Sequence, residues 1–160
     1  MFKLIKIDNA RMNVPEPEYY ECGETITPDD PIKCGEVVYL DQGKLRKVSE
    51  PTVKEFVTMA DGVAGETIPV CRLCKEQVWE TRLDSTDRIW GISHPGSTVN
   101  VASNNINGNA APPVPVADAV IVEKGEPDTF AENGAPTGGY VRIRFLCNYG
   151  KDASSEKTQE

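Results

Sequence analysis

Cys71 and Cys74, in Cys71-Arg72-Leu73-Cys74, are the residues of this chain whose type and spacing most readily suggest chemistry. A CxxC pair can hold a metal ion or run thiol–disulfide exchange. Zinc needs a second ligand pair at motif spacing, and the other candidates, Cys22, Cys34, Cys147 and the single His94, are scattered. Redox CxxC motifs open a helix, whose N-terminus lowers the thiol pKa. This one ends a strand-like run, Ile68 to Leu73. Residues three apart in a regular strand face opposite sides, so the spacing predicts that Cys71 and Cys74 do not share a metal. Structural thiols are the main expectation, with metal or redox use as the lesser alternative. The chain has five cysteines, an odd number, and all five are expected reduced in a cytosolic setting.

The other chemistry-bearing residues form no constellation. His94 stands in the turn Ile92-Ser93-His94-Pro95-Gly96, and a Cys–His nucleophile would need a third orienting group. Asp84-Ser85-Thr86-Asp87 reads as a polar turn rather than an acid–base pair. Thr137-Gly138-Gly139 precedes a strand instead of opening a helix, so it is no phosphate loop, and no Walker, GxGxxG or GxSxG motif occurs. The expectation is a protein that is not an enzyme and uses no cofactor and no metal.

The elements that would position these residues are short strands. In Tyr140-Val141-Arg142-Ile143-Arg144-Phe145-Leu146-Cys147, the side chains of Val141, Ile143, Phe145 and Cys147 point one way while Arg142 and Arg144 point the other. Glu36 to Leu40, the turn Asp41-Gln42-Gly43 and Lys44 to Val48 predict a hairpin. Further strands are expected at Glu55 to Met59, Ile68 to Leu73, Val78 to Leu83 and Ala119 to Glu123, with Ile89 to Ile92 and Thr98 to Val101 as short candidates. Lys75 to Thr81 reads as a helical turn or as strand. The alternation of Trp79, Thr81 and Leu83 with Glu80 and Arg82 favours strand. Ser103 to Asn109 reads as a loop or hairpin tip. Gly23-Glu24-Thr25-Ile26, Gly35-Glu36-Val37-Val38 and Gly65-Glu66-Thr67-Ile68 are alike but irregularly spaced, which suggests turns entering strands rather than a solenoid.

Length and composition fit this picture. A chain of 160 residues suits one domain with appended arms, and its 13 Gly and 12 Pro suit turn-rich β structure over a helical bundle. The formal net charge of −8 argues against coating nucleic acid, which needs a basic face. Residues 13–36 carry seven acids against Lys33 alone, while residues 1–12 are net positive. No apolar run reaches the ~20 residues of a membrane span or a signal peptide's core, so a soluble protein that is not exported is expected. The sequence thus divides into an extended, acidic, Pro-rich N-terminal arm (1–34), an all-β, barrel-like body (35–150) and a disordered polar tail (151–160). Residues 2–7 read as a short strand or as the start of a docking arm.

Four stretches follow one another in a familiar order: Gly35-Glu36-Val37-Val38-Tyr39-Leu40 with Gly43-Lys44-Leu45-Arg46-Lys47; Glu55-Phe56-Val57-Thr58-Met59-Ala60-Asp61-Gly62; Gly65-Glu66-Thr67-Ile68-Pro69-Val70-Cys71-Arg72; and Tyr140-Val141-Arg142-Ile143-Arg144-Phe145. This pattern of glycines and strands, spanning roughly residues 24–147, resembles the head-decoration (capsid cement) proteins of tailed bacteriophages. The resemblance implies a small β-barrel or β-tulip with an extended arm. It also implies a place on the outer surface of the virion, after synthesis in the host cytoplasm, bound to the major capsid protein lattice as a homotrimer. Direct contact with nucleic acid or membrane is not expected. Ordering an arm costs entropy, so its contacts need apolar anchors, and Phe2, Leu4, Ile5, Tyr19 and Tyr20 are the partner-binding candidates. A generic β-barrel binding module is the alternative, with a small thiol or metal protein using the CxxC less favoured.

Overall fold

A computed structural model describes residues 1–8, 16–48, 54–82, 95–102, 106–107, 118–130, 132–134 and 136–147. The polar tail, Asp84 to Asp87, Ile89 to Ile92, His94 and most of the 103–117 stretch lie outside the described residues. Among the described residues there is no helix, and the strands are β1 (Lys3–Ile7), β2 (Glu18–Glu21), β3 (Val37–Asp41), β4 (Lys44–Lys47), β5 (Phe56–Thr58), β6 (Thr67–Arg72), β7 (Gln77–Arg82), β8 (Thr98–Val101), β9 (Ile106–Asn107), β10 (Ala119–Lys124), β11 (Thr129–Phe130), β12 (Pro136–Thr137) and β13 (Tyr140–Phe145). They pair antiparallel into a six-stranded sheet ordered β1-β7-β13-β10-β8-β9, a five-stranded sheet ordered β2-β6-β5-β3-β4, and the small ribbon β11-β12.

The sequence pattern explains the pairing. The β3–β4 hairpin turns on Gln42 and Gly43, both at positive φ (52° and 79°), as a two-residue primed turn demands. In β13 the expected alternation is present through Phe145: Val141, Ile143 and Phe145 are buried, with Arg142 and Arg144 half-exposed. Cys147 lies beyond the strand at a φ of 54°, yet it still packs, partly buried, against the same core as Val141, Ile143 and Phe145. β7 settles the ambiguity over Lys75 to Thr81 in favour of strand from Gln77 onward. Ile106 and Asn107, expected in a loop or tip, instead pair with Val101 and Asn100 as a short terminal strand.

Two cores result, and the five-stranded sheet separates them. Successive residues of β3, β5 and β6 alternate between its faces. Val37, Val57, Cys71 and Leu73 join Trp79, Val99, Ile121, Ile143 and Phe145 of the six-stranded sheet in one core. Val38, Phe56, Ile68 and Val70 join Cys22, Ile26, Ile32 and Leu45 in the other. The second core is enclosed because the five-stranded sheet curls. Its outer strands approach at one bridge, Cys22 to Leu45, where the Gly23 N–H also donates to the Leu45 carbonyl at 2.9 Å. Among the described residues the fold is all-β, as expected, built from two antiparallel sheets, and no closed barrel is found.

The N-terminal segment is also built in, which corrects its reading as a separate arm. β1 pairs with β7 along one sheet and β2 pairs with β6 along the other. The start of the chain meets Gly35, where the body was expected to begin. The Phe2 N–H donates to the Gly35 carbonyl at 2.8 Å, and the backbone approaches so closely that a Cβ on Gly35 would stand 2.9 Å from the Phe2 oxygen. Gly35 has a φ of +90°, which a side chain would strain.

One buried ion pair joins the sheets. Lys54, just before β5, lies 3.3 Å from Asp118, just before β10, with side chains only 5% and 2% exposed. Asp118 also accepts the Val101 N–H at 2.8 Å.

Candidate functional site

The five partner-binding candidates are placed very differently. Phe2 is buried, with its ring edge-on to Phe145 at 5.7 Å, and Leu4 packs against the same core. Both groups pack into the protein's own core. Ile5 is half-buried at the bulge between Leu4 and Lys6. Tyr20 packs on Phe56, ring centroids 5.4 Å apart, and its hydroxyl donates to Glu18 at 2.8 Å. Only Tyr19 faces outward, 64% exposed.

The strand that carries Tyr19 is tied to its neighbour. Arg72 forks onto Glu18 with two hydrogen bonds of 2.8 Å, clamping β2 to β6, and its guanidinium covers the Phe56 ring at 4.7 Å. The hydrogen bonds from Arg72 hold the Glu18 carboxyl below its ordinary pKa. β2 is the first strand of its sheet, and Glu16, Glu18, Glu21 and Glu24 surround Tyr19 along the chain. The result is an exposed tyrosine on an acidic edge strand.

The CxxC is arranged otherwise than strand spacing suggests. β6 ends at Arg72, so Cys74 sits in the connection to β7, and the opposite-face argument does not reach it. Both thiols lie against one carbonyl, that of Arg72, Cys71 at 3.8 Å and Cys74 at 3.9 Å. Between them works Gln77, wholly buried. Its Oε1 accepts from the Cys74 N–H at 2.9 Å and from Trp79 Nε1 at 3.2 Å, while its Nε2 donates to the Arg72 carbonyl at 3.0 Å and to Cys71 Sγ at 3.7 Å. A carboxamide organises the turn. Burial pushes both thiols above their ordinary pKa, with the neighbouring Cys74 adding to the effect on Cys71 and Glu76 to that on Cys74. Both are therefore protonated at neutral pH, poor nucleophiles and poor ligands as they stand. Among the described residues no group of three His, Cys, Asp or Glu is placed to hold a metal ion.

Gln77 was not singled out by sequence reasoning, yet it left a signal. It continues the Trp79, Thr81 parity and so is a polar residue on the buried face of its strand.

The outward face of the six-stranded sheet is a lattice of ion pairs. Arg142 reaches Glu80 and Glu123, each at 3.1 Å, and its guanidinium lies 5.2 Å over the Tyr140 ring. Arg144 pairs with Asp8, and Arg82 with Asp128 at 2.6 Å. Exposed pairs of this kind, screened by solvent, contribute little to stability. They neutralise the face and hold its side chains in place.

Beside β1, lined also by residues of β5, β6 and β7, there is an apolar pocket of about 260 Å³. Phe2, Leu4, Val57 and Trp79 form its walls, with Cys71, Cys34 and Met59 supplying sulfur. The one hydroxyl, of Thr58, is already engaged, donating to the Lys33 carbonyl at 2.7 Å and accepting the Glu36 N–H at 3.1 Å. Nothing in the residue order brings Cys34 and Met59 beside Cys71. The chain matches no protein-family model, and no curated protein is significantly similar to it in sequence.

Proposed function

We propose that the protein is a structural decoration protein of a tailed-bacteriophage head, binding the outer surface of the capsid lattice and stiffening the shell. The order of glycine-led strands supports this reading. Three of the four stretches that carry the resemblance lie together as β3–β4, β5 and β6 of the five-stranded sheet, and the fourth is β13 at the centre of the other. The observation that carries the reading furthest is Tyr19, an exposed aromatic side chain on an acidic edge strand that the Arg72–Glu18 pair ties to its neighbour. A rigid aromatic anchor with few rotamers to lose is the residue type that concentrates binding energy. The surrounding carboxylates would choose a basic patch on the lattice and speed encounter with it. On the shell the protein assembles as a homotrimer, as the resemblance implies.

Co-sedimentation with capsid shells tests the proposal. The full chain should pellet with shells, less so at high salt, and Tyr19→Ala should weaken binding by about 10-fold or more, the scale of a hot-spot truncation. Tyr19 is exposed, so the variant should remain folded. A full chain left in the supernatant at low salt would refute the decoration role. Unchanged binding by Tyr19→Ala would refute the β2 edge as its docking face.

A further inference from the structure

The described residues present an apolar hole and an apolar knob. The hole is the pocket beside β1, with Met59, 49% exposed, and Cys34 at its mouth. The knob is Phe130, 67% exposed on the β11–β12 ribbon. We infer that the pocket receives Phe130 of a second copy of this chain, joining copies head to tail.

Size and chemistry agree. An apolar cavity of ~150 Å³ is enough to hold a benzene ring, and this one is about 260 Å³. Its only hydroxyl is occupied, so an incoming group finds no hydrogen-bonding partner to satisfy, and a phenyl ring needs none. The lining of Phe2, Trp79, two thiols and a thioether is the set of groups that aromatic edges and faces pack against favourably.

The ribbon is placed to project the ring. Two strands of two residues are too short to be stable alone. Its base is tied down by the Asp128–Arg82 pair and by the Gly125 N–H donating to the Tyr140 carbonyl at 2.9 Å. Glu126, Asp128 and Glu132 flank the knob and are exposed, and exposed Lys33 directly precedes Cys34, which lines the pocket. Phe130 is exposed in its own chain, so the contact is between copies. It joins two different patches, which makes it heterologous and lets it close into a ring or extend as a chain.

The inference does not rest on the shell reading, and its test uses no shells. Sedimentation velocity of the full chain over a concentration series should show self-association. Phe130→Glu and Met59→Glu, both at exposed positions and checked for folding by circular dichroism, should each weaken it about 10- to 100-fold, the worth of one buried phenyl ring. Mixing the two variants should restore association, stopping at a heterodimer, because one retains an intact pocket and the other an intact knob. A full chain that stays monomeric at every concentration would overturn the inference. So would association indifferent to Phe130→Glu, or single variants that fail to complement each other.

Discussion

The pair Lys54–Asp118 offers the sharpest test of how the two sheets are held together. Replacing Lys54 by Met keeps the length of the side chain and removes its charge, leaving the Asp118 carboxylate buried with the Val101 N–H still donating to it. Breaking a buried pair from one side typically costs ~3–5 kcal/mol, because the remaining charge loses its partner without regaining water. Against a total stability of ~5–15 kcal/mol that is a large share. At about 2–4 °C per kcal/mol for a chain of this size, the thermal midpoint should fall by about 6–20 °C. Asp118→Asn keeps an acceptor for Val101 and should cost less. The double variant, with no charge left to bury, should be more stable than Lys54→Met alone, giving a coupling of about 0.5–3 kcal/mol in a double-mutant cycle. Urea unfolding followed by circular dichroism measures all four proteins. A loss below ~1 kcal/mol for Lys54→Met, or strictly additive singles, would show that the pair is hydrated in solution and that the apolar core alone joins the sheets.

Gln77→Leu should cost about 2 kcal/mol or more, since it leaves the Cys74 N–H and the buried Trp79 Nε1–H without their acceptor and removes one donor from the Arg72 carbonyl; an unchanged denaturation midpoint would remove Gln77 as the organiser of the CxxC turn. Burial holds the Glu36 carboxyl above its ordinary value of 4.5, outweighing Lys47 at 3.6 Å. The folded state thus binds the Glu36 proton more tightly than the unfolded chain does, and this contribution to stability is lost as pH rises through that window. Glu36→Gln should therefore gain stability relative to wild type at neutral pH, within the ~0.5–2 kcal/mol of a typical improving substitution. The gain should vanish well below pH 4.5, and a less stable variant at neutral pH would mean that the Lys47 attraction wins. Deleting residues 1–8 removes Phe2 and a whole strand, so the remaining chain should lose ~3 kcal/mol or more; an unaltered melting curve would restore the dispensable arm.

Local pattern made much of this fold legible. Alternation in β13, the Gln42-Gly43 turn and the short apolar runs that became β5, β6 and β8 are decided by neighbours in sequence, and they appear within a residue or two of expectation. What lies between distant segments was not legible. The sequence makes residues 1–34 look like an arm because Pro and acids disfavour self-packing, yet Phe2 enters a core formed by strands roughly 70 and 140 residues away. The same limit applies to the CxxC. Its spacing predicted opposite faces only while both cysteines stayed in one strand, and where β6 stops is set by Gln77 pulling the chain into a turn. Of the five side chains chosen for a partner, residue type identified Tyr19 as outward only together with its neighbour. β2 alternates, so Tyr20 had to turn inward if Tyr19 did not.

The five-stranded sheet, buried on both faces, has a mechanical consequence. Phe56 and Val57 are adjacent residues of one strand, and each is a wall of a different core. Neither core can loosen without pulling on the backbone that the other grips, so the two should melt as one cooperative unit rather than in sequence. The amides of β5, shielded above, below and on both sides, are then the last to exchange with solvent, at a rate set by global unfolding. A body of that kind passes load from one face to the other without an internal hinge.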